Sequence, residues 1–363
     1  MPPRSRLSVA LRTLAVALLL GPIQAWGWGS DGHKIVARIA ADNLSPSAQS
    51  QVAGILGVPT SQLASAMEAA SILPDTRFRE EDHCTEPWHF IDICLSDTRA
   101  DIPRRCRGGN CVTARIDEYS RRLTNENYDR WGAAGDLAFL IHFVGDLHQP
   151  LHAADDADKG GNCIMVDYPR AENLHNAWDD AVVRGLERSL DSGRPDPTAR
   201  RLEETYASEQ ALDRWVPGDS EAIAWESNQI ARTEIYGPLN VPIEPCGTRL
   251  LCRTKLRVDL SPAYMEQAEV IAGHQLAKAG FRLASLLNEI WTQPVSHDLE
   301  PSVPAPGISS QTISGQIVGN QRSKIYAWPG CGSYDRMAPA NRVVFPSVEA
   351  AQQAGYRAAR NCP

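Results

Sequence analysis

The thirteen residues from Leu140 to His152 concentrate side chains that could bind a metal ion in an otherwise mostly apolar stretch. Read as a helix, this stretch places His142 and Asp146 one turn apart, with their Cβ atoms about 5–6 Å from each other. Pro150 then ends or kinks the helix, which lets His152 turn back towards that pair. Burying histidine and aspartate among apolar residues is unfavourable unless something compensates for their lost hydration. A divalent metal ion is the simplest compensation.

The same pattern also has a purely structural interpretation. A histidine near an apolar helix face is often a hydrogen-bonded core residue, and a His–Asp pair four residues apart is often a helical salt bridge. The density of ligand-type residues favours a metal site over this alternative. Other parts of the chain supply further candidate ligands, and two of these repeat the four-residue His–Asp spacing on a second helical pattern. The additional candidates are His33, Asp75, His89, His175 and Asp179.

The bulk composition limits the classes of function. The chain has 363 residues, 9 cysteines and a formal net charge of −8, and this length suits one large domain or a large domain with a small one. A protein that binds long nucleic acid through surface charge would carry a basic patch, and none is evident. The charge of a phosphate-containing substrate would therefore have to be neutralised locally, by metal ions. Because no Cys-x-x-Cys pair occurs, histidine and aspartate rather than thiolates are the candidate ligands.

Residues 1–27 have the pattern of a secretory signal. Arg4, Arg6 and Arg12 precede an apolar run over 14–20, which a proline and small residues follow. This run is shorter than the roughly 20 residues that span a membrane, and no other stretch approaches that length. We therefore expect an exported protein, secreted or periplasmic, with no membrane span and with Trp28 as the first mature residue. Removing the three arginines takes the formal charge from −8 to −11.

Export permits disulfide bonds. Cys106 and Cys111 flank a glycine turn and are predicted to pair with each other. Because the number of cysteines is odd, at least one thiol is expected to stay unpaired within the chain.

The hydrophobic periodicity predicts a mainly α-helical body with few and short strands. One helix is expected to start at Ser45-Pro46 and to stop at Gly57. Residues 75–111 are predicted to be irregular, and a short hairpin is expected at Ile164–Tyr168. A helix is expected after His33, and the central helix is expected to run from about Gly132 towards Pro150. Further helices are expected over roughly 60–72, 112–123, 174–188, 198–213, 218–234 and 261–290.

The composition changes near the end of the chain. Residues 293–308 contain four prolines in a polar stretch, which predicts a linker. Residues 309–363 are predicted to form a small α+β module, similar to an accessory module that follows bacterial extracellular nucleases. Two cysteines cannot complete a tetrahedral zinc site, so we expect Cys331 and Cys362 to form a disulfide there.

Taken in order, the motifs of residues 28–290 resemble those of the zinc-dependent single-strand-specific nucleases and 3′-nucleotidases (nuclease S-one / P-one type). The resemblance rests on Trp28-x4-His33, on His-Phe-x-Gly-Asp-x-x-Gln-Pro-x-His over 142–152, on Gly-Gly-Asn over 160–162, and on Asn-Leu-His-x3-Asp over 173–179. Each motif alone is weak, but together they are highly specific. The resemblance implies a mainly α, multi-helix domain of the zinc phospholipase C and single-strand nuclease type over 28–292.

The resemblance also implies three zinc ions per chain. The first ion would be bound by Asp75, His89, His142 and Asp146. The second would be bound by His152, His175 and Asp179. The third would be bound by the free amino and carbonyl groups of Trp28, by His33, and by Asp146 as a bridging ligand. This third site requires the signal to be cleaved between Gly27 and Trp28.

The implied substrates are single-stranded DNA and RNA, cleaved to 5′-phosphorylated products, and 3′-nucleotides. Phe90 would stack on a base, and Asp92 and Asn162 would hydrogen-bond its edge. Asp75 would orient a hydroxide held by the zinc pair that Asp146 bridges, and Arg77 would stabilise the transition state. The family usually has its arginine three residues after the first carboxylate ligand, whereas Arg77 follows Asp75 by two, so Arg79 is an alternative. We expect a monomer.

Two other functions are open to this sequence. Zinc-dependent phospholipase C has a related three-metal site, but its last helical pair is typically His-x3-Glu, whereas this chain has His175-x3-Asp179. A non-catalytic periplasmic zinc-binding protein is the other alternative, against which the complete set of ligand residues argues.

Overall fold

The structure is a computed structural model that describes residues 27–208, 219–245 and 256–292, together with 317–321, 324–327, 341–345, 351, 354 and 356–358. The expected leader before Gly27, the expected linker over 293–308, and the expected bond between Cys331 and Cys362 lie outside these residues. The chain divides into two compact units, Met1–Pro294 and Val295–Pro363. No helix in the described residues has the length and apolar character required to cross a bilayer.

The first unit is built mainly of α-helices, as the periodicity predicted. Its longer helices are α1 (Ser30–Asp42), α2 (Pro46–Leu56), α3 (Leu63–Ser71), α6 (Val112–Thr124), α7 (Gly132–His148), α10 (Pro195–Tyr206), α11 (Ser220–Ile230) and α12 (Pro262–Thr292). Its shorter helices are α4 (Arg79–Glu81), α5 (Ile102–Arg105), α8 (Leu174–Asn176) and α9 (Val183–Ser189).

Local sequence signals explain where several helices begin and end. Ser45 caps α2 by accepting a hydrogen bond from the backbone N–H of Ala48, and Pro46 occupies the first turn, where its missing N–H costs nothing. Gly57 then ends α2 with a φ of 68°, a conformation that glycine adopts without strain. Both boundaries agree with the expected ones.

Helix α7 lies at the centre of the first unit. It packs against α1, α3, α6, α11 and α12. Because neighbours surround it on all sides, it buries a continuous run of residues rather than a single apolar stripe.

Residues 75–111 differ from the irregular structure that we expected. They form a series of short helical turns over Pro74–Phe78, Arg79–Glu81, His83–His89, Arg99–Asp101, Ile102–Arg105 and Arg107–Gly109. Turns of this length show no clear periodicity in a sequence, which is why the pattern did not reveal them. Cys106 and Cys111 form the expected disulfide in this segment. Cys94 and Cys163 are also disulfide-bonded, and Cys84 is a free, exposed cysteine.

Two small sheets complete the described structure. In the first unit, β1 (Ile164–Tyr168) pairs antiparallel with β2 (Ala171–Asn173) as the expected hairpin, and parallel with β3 (Leu256–Val258). In the second unit, four strands have the order β6-β4-β5-β7. These strands are β4 (Ile317–Asn320), β5 (Ile325–Ala327), β6 (Arg342–Phe345) and β7 (Arg357–Ala358). Tyr326, Phe345, Ala351 and Tyr356 form the core of this second unit.

Candidate metal centre

Helix α7 supplies the central polar residues of the site. Every residue from Gly135 to His148 is buried, and His142 Nε2 lies 3.2 Å from Asp146 Oδ2. After α7 ends, Pro150 begins a 3-10 turn that runs to Ala153. This turn returns His152 to within 3.5 Å of Asp146. The proline break therefore has the geometric effect that the sequence predicted.

Asp75, His89 and His142 form the first cluster, with ligand atoms that all lie within 4.8 Å of one another. His89 Nδ1 is 3.0 Å from His142 Nε2 and 3.0 Å from Asp146 Oδ2. Asp75 Oδ1 is 3.5 Å from each of these two imidazole nitrogens. Asp75 and His89 come from the helical turns Pro74–Phe78 and His83–His89, so the short turns of this segment direct both side chains at α7.

Asp146 faces two clusters with its two carboxylate oxygens. Its Oδ2 atom faces His89 and His142. Its Oδ1 atom lies 3.5 Å from Nε2 of His33, which comes from α1 and stacks on His142 with ring centroids 3.8 Å apart. His33, His142 and Asp146 form a second set of potential ligands within 4.8 Å of one another. A carboxylate in this position can bridge two metal ions.

His152, His175 and Asp179 form the third cluster. The Nε2 atoms of the two histidines are 3.2 Å apart, and His175 Nε2 is 3.5 Å from Asp179 Oδ2. The segment that holds His175 and Asp179 is not a regular helix, because a π-helical turn over Ala177–Val182 joins α8 to α9. Such turns are rare and are frequently found at functional sites.

Backbone carbonyls fix the orientation of three histidines. His142 Nδ1 donates to Ser71 O over 2.7 Å. His152 Nδ1 donates to His89 O over 2.8 Å, and His175 Nδ1 donates to Gly160 O over 2.6 Å. Because a carbonyl can only accept, each Nδ1 carries a proton, and Nε2 is the nitrogen of each ring that can offer a lone pair to a metal ion.

These contacts fit a cation at each cluster. Two imidazole lone pairs, those of His152 and His175, face each other over 3.2 Å, which is unfavourable unless a positive charge lies between them. Among the described residues, Asp75 Oδ1, Asp146 Oδ1 and Asp179 Oδ2 are buried and have no hydrogen-bond partner. Buried polar atoms of this kind normally have one. Imidazole with carboxylate is a ligand combination that suits zinc.

Burial and neighbouring charges set the protonation states. Burial, and then the nearby His152, lower the pKa of His175 to about 3. This imidazole is therefore neutral at pH 7 and can bind a metal without losing a proton. Burial alone would raise the pKa of Asp146, but the charges of His142 and then His152 outweigh it and hold this pKa well below its usual value. Burial raises the pKa of Asp179 well above its usual value, which a bound cation would reverse.

A cavity of about 390 Å³ opens beside the clusters, and His89, His152 and His175 form part of its wall. Phe90, Asp92 and Asn162 also line it. The Phe90 side chain is 37% exposed, which is unusual for phenylalanine. Desolvation, and then the nearby Asp155, raise the pKa of Asp92 to about 6, although Asp92 keeps part of its surface exposed to solvent.

The Gly-Gly-Asn motif brings its backbone close to the site. Gly160 has a φ of +61°, and a Cβ atom there would lie 2.6 Å from Leu151 O. Only glycine therefore fits where the Gly160 carbonyl accepts from His175. Asn162 donates from its Nδ2 atom to Lys159 O over 2.8 Å.

The structure does not bring Arg77 into the site. Its guanidinium is 67% exposed and pairs with Glu81 over 2.8 Å. Arg79, two residues further along the chain, is 14% exposed, lies 3.9 Å from Asp75 and lines the cavity. Of the two arginines that the sequence offered, the structure therefore brings Arg79 rather than Arg77 to the cavity. The reason is that Asp75 and Arg79 are four residues apart on consecutive helical turns and share a face.

Gly27, the residue before Trp28, lies among the second set of potential ligands. Trp28 is fully buried. A Cβ atom on Gly27 would lie 2.8 Å from His33 Nε2 and would collide with Asp146 Oδ1. Gly27 therefore occupies the space between these two residues, directly before the backbone nitrogen of Trp28.

Sequence reasoning assigned no role to several residues that contact the site. Gln149 lies inside the central motif, is fully buried and hydrogen-bonds Asp179. A polar residue between a buried helix and a proline is a usable signal for such a role. Asp155 and Lys159 line the cavity, and no pattern in the sequence distinguishes them from ordinary loop residues.

Comparison with known proteins gives related chains over most of the length. The chain is 30% identical to Nuclease S1 of Aspergillus oryzae, covering 79% of this chain and 98% of that protein. It is 30% identical to Nuclease P1 of Penicillium citrinum, covering 72% and 97%. It is 28% identical to Endonuclease 2 of Arabidopsis thaliana, covering 78% and 98%.

One solved structure, Alpha Toxin from Clostridium Absonum, aligns with 81% of this chain and 70% of its own, with a TM-score of 0.36 and 15% identity. This similarity is too low to carry an argument.

Two family models match separate parts of the chain. Residues 311–363 match the metal binding domain of Ada. Residues 28–292, which contain all of the clustered histidines and aspartates, match the S1/P1 nuclease model. The chain therefore belongs to the S1/P1 nuclease family.

Proposed function

We propose that this protein is an exported zinc phosphodiesterase that cleaves single-stranded DNA and RNA to 5′-phosphorylated products and removes phosphate from 3′-nucleotides. The proposal rests mainly on the carboxylate of Asp146, whose two oxygens face different clusters. Its Oδ2 atom faces His89 and His142, and its Oδ1 atom faces His33. A carboxylate shared in this way is the arrangement that a two-metal phosphodiesterase needs. Membership of a nuclease family supports the same reaction.

We assign three zinc ions. The first is assigned to Asp75, His89, His142 and Asp146, and the second to His152, His175 and Asp179. The third is assigned to His33, Asp146 and the amino and carbonyl groups of Trp28. The close approach of Gly27 to His33 supports cleavage between Gly27 and Trp28, because removing Gly27 frees that space and creates a terminal amine beside it. The arginine-containing apolar leader supports export, secreted or periplasmic.

Zinc bound at these residues supplies a hydroxide nucleophile at neutral pH, because it lowers the pKa of water from about 16 to about 7. Asp75 Oδ1, which accepts no hydrogen bond from the described residues, would orient the attacking water. Arg79 lies 3.9 Å from Asp75 and would stabilise the negative charge that builds on the non-bridging phosphate oxygens. The carbonyl bonds to His142, His152 and His175 hold the imidazoles in one orientation throughout.

The cavity supports the preference for single strands. Phe90 presents an exposed ring on which an unpaired base can stack, whereas a base inside a duplex is already stacked on both faces. Asp92 and Asn162 line the same cavity and would hydrogen-bond the edge of that base. We take the protein to act as a monomer.

The test is the substitution Asp146→Asn, with Asp136→Asn as a matched control. Both aspartates are fully buried on α7, but Asp136 accepts hydrogen bonds from the backbone N–H of Asp129 and belongs to none of the clusters. Asp146→Asn should abolish hydrolysis of single-stranded DNA and of 3′-AMP and reduce bound zinc, while Asp136→Asn should retain both. Full activity of Asp146→Asn would refute the proposal.

Two further assays separate the alternative functions. Hydrolysis of lecithin in preference to single-stranded DNA would identify a phospholipase C. Absence of phosphate release from 3′-AMP and of nucleic-acid cleavage in the zinc-loaded protein would identify a non-catalytic zinc protein.

A further inference from the structure

A short surface segment beside the cavity is rich in arginine. Residues 99–107, here called the arginine loop, contain Arg99, Arg104, Arg105 and Arg107 but only one acidic residue. Arg99, Arg104 and Arg107 are exposed. The loop is a small basic patch, which corrects the expectation that the chain has none, on a protein whose formal net charge is −8.

The arginine loop is held in place at both ends. The disulfide between Cys106 and Cys111 closes its C-terminal side. Next to that bond, Asn110 Oδ1 accepts a hydrogen bond from Trp88 Nε1 over 2.8 Å. At its N-terminal side, Thr98 and Asp101 cap the first turn reciprocally. The backbone that carries the guanidinium groups is therefore already ordered, so less conformational entropy is lost when the loop binds a ligand.

Arg105 connects the loop to the segment that carries the cavity residues. Its Nε and Nη2 atoms donate to Asp97 over 2.6 and 2.8 Å. Asp97 is buried, and its Oδ2 atom also accepts from the backbone N–H of Cys94, two residues after Asp92. Arg105 thus has a structural role and fixes the position of the loop relative to Asp92.

A second connection reaches Phe90. Its carbonyl oxygen accepts a hydrogen bond from the backbone N–H of Val112, the residue after Cys111. The segment that follows the arginine loop is therefore hydrogen-bonded to Phe90, a residue of the cavity wall. Arg104 pairs with Asp97 and Asp101 over 3.1 and 3.2 Å but is still 54% exposed. Together with Arg99 and Arg107 it can meet a ligand from solution.

We propose that the arginine loop binds backbone phosphates of a single-stranded polynucleotide on the 5′ side of the base that stacks on Phe90. The inference rests on the proposed function, in which the phosphate 3′ to that base lies at the metal clusters. The strand must then continue from the base pocket in the 5′ direction. The arginine loop offers exposed positive charges near the segment that carries Phe90 and Asp92, and exposed Lys159 lines the cavity itself. A 3′-mononucleotide with a free 5′-hydroxyl has no phosphate to place there.

The experiment compares two substrates in one triple variant, Arg99→Gln, Arg104→Gln and Arg107→Gln, with Arg105 left in place. For the twelve-residue oligonucleotide dA12, kcat/KM should fall about 10-fold at low salt, while hydrolysis of 3′-AMP should not change. The slope of log Kd against log salt for dA12 should shrink by about 0.7 for each phosphate that the variant no longer neutralises. This slope is measured by fluorescence anisotropy with zinc-depleted protein, so it does not require turnover.

The matched control is the triple variant Arg188→Gln, Arg200→Gln and Arg201→Gln, which removes three exposed charges of α9 and α10 that do not line the cavity. It should behave as the wild type on both substrates. Equal decreases on dA12 and 3′-AMP, or an unchanged salt slope for dA12, would overturn the inference. A wild-type protein that cleaves neither substrate would instead refute the proposed function, and the binding measurement would still decide this inference.

Discussion

Gln149 donates a hydrogen bond from its Nε2 atom to Asp179 Oδ1 over 2.6 Å, and both side chains are buried. The other end of the same amide, Oε1, accepts from the backbone N–H of Leu151 over 2.6 Å. This pair of bonds fixes the amide orientation and leaves Asp179 Oδ2 without a partner among the described residues, 3.5 Å from His175 Nε2. Gln149 therefore holds Asp179 in an orientation that leaves one carboxylate oxygen available to a metal ion.

Replacing Gln149 with alanine should weaken metal binding at the cluster of His152, His175 and Asp179. Loss of a group that orients a ligand typically lowers metal affinity about 10- to 100-fold. Zinc affinity is measured by competition with a chelator, and Gln275→Ala serves as the control, because Gln275 is also buried but donates to the His148 carbonyl instead. An affinity equal to that of the Gln275→Ala variant would show that Gln149 only contributes to packing.

Arg79→Gln should lower kcat about 100-fold, in the range observed when a group that stabilises transition-state charge is removed. Arg77→Gln should leave kcat unchanged, because the Arg77 guanidinium is exposed to solvent and pairs with Glu81 instead of reaching the cavity. Steady-state hydrolysis of 3′-AMP by the two variants measures the difference. The reverse ranking would return the catalytic role to Arg77.

Phe90→Ala should raise the KM for single-stranded oligonucleotides about 10-fold, because stacking on an aromatic side chain contributes about 1–3 kcal/mol per base. Phe90→Trp should largely preserve KM. Tyr128→Ala is the matched control, since Tyr128 is exposed to a similar extent, 38% against 37% for Phe90, but does not line the cavity. A KM that Phe90→Ala leaves unchanged would argue against stacking at this position.

His148 predicts an acid-dependent loss of stability that does not involve the metal ligands. Burial, and then Arg282, lower its pKa to about 3. Arg282 Nη1 donates to His148 Nε2 over 3.0 Å, and His148 Nδ1 donates to Val144 O. Glu226 and Lys278 are the other charged groups that act on this imidazole. Below the unfolded pKa of 6.5, the unfolded chain binds a proton that the folded chain excludes, so stability falls as the pH falls towards 3.

The slope from this one group approaches about 1.4 kcal/mol per pH unit between these two pKa values. Urea unfolding of metal-free protein between pH 6 and pH 4 measures it, with His148→Gln as the comparison. That variant should be less stable at pH 7 but should show a shallower decline. Identical slopes in the two proteins would contradict the assignment.

The sequence predicted the parts of the fold that local chemistry determines. The α2 boundaries follow from Ser45, Pro46 and Gly57, and the turn that returns His152 follows from Pro150. These residues act on their own backbone, so their effect is readable without knowing the neighbours. The clustering of His142 with Asp146 follows in the same way from their spacing.

Other features depend on contacts between distant segments and were missed for that reason. The segment Ala177–Val182, which holds Asp179, forms a π-helical turn, yet its sequence is compatible with a regular helix. The sequence named both Arg77 and Arg79, but the choice between them depends on which face of a short turn meets α7. The role of Gln149 requires Asp179, which lies 30 residues further along the chain.

The amino terminus provides the most direct test of the three-metal assignment. Two forms of the protein, released from a fusion so that one begins at Trp28 and the other at Gly27, would be loaded with zinc and analysed by elemental mass spectrometry. The structure places Gly27 against His33 and Asp146, so its retention should remove one site. We predict about three zinc ions in the form that begins at Trp28 and about two in the form that begins at Gly27. Equal zinc contents in the two forms would contradict the account.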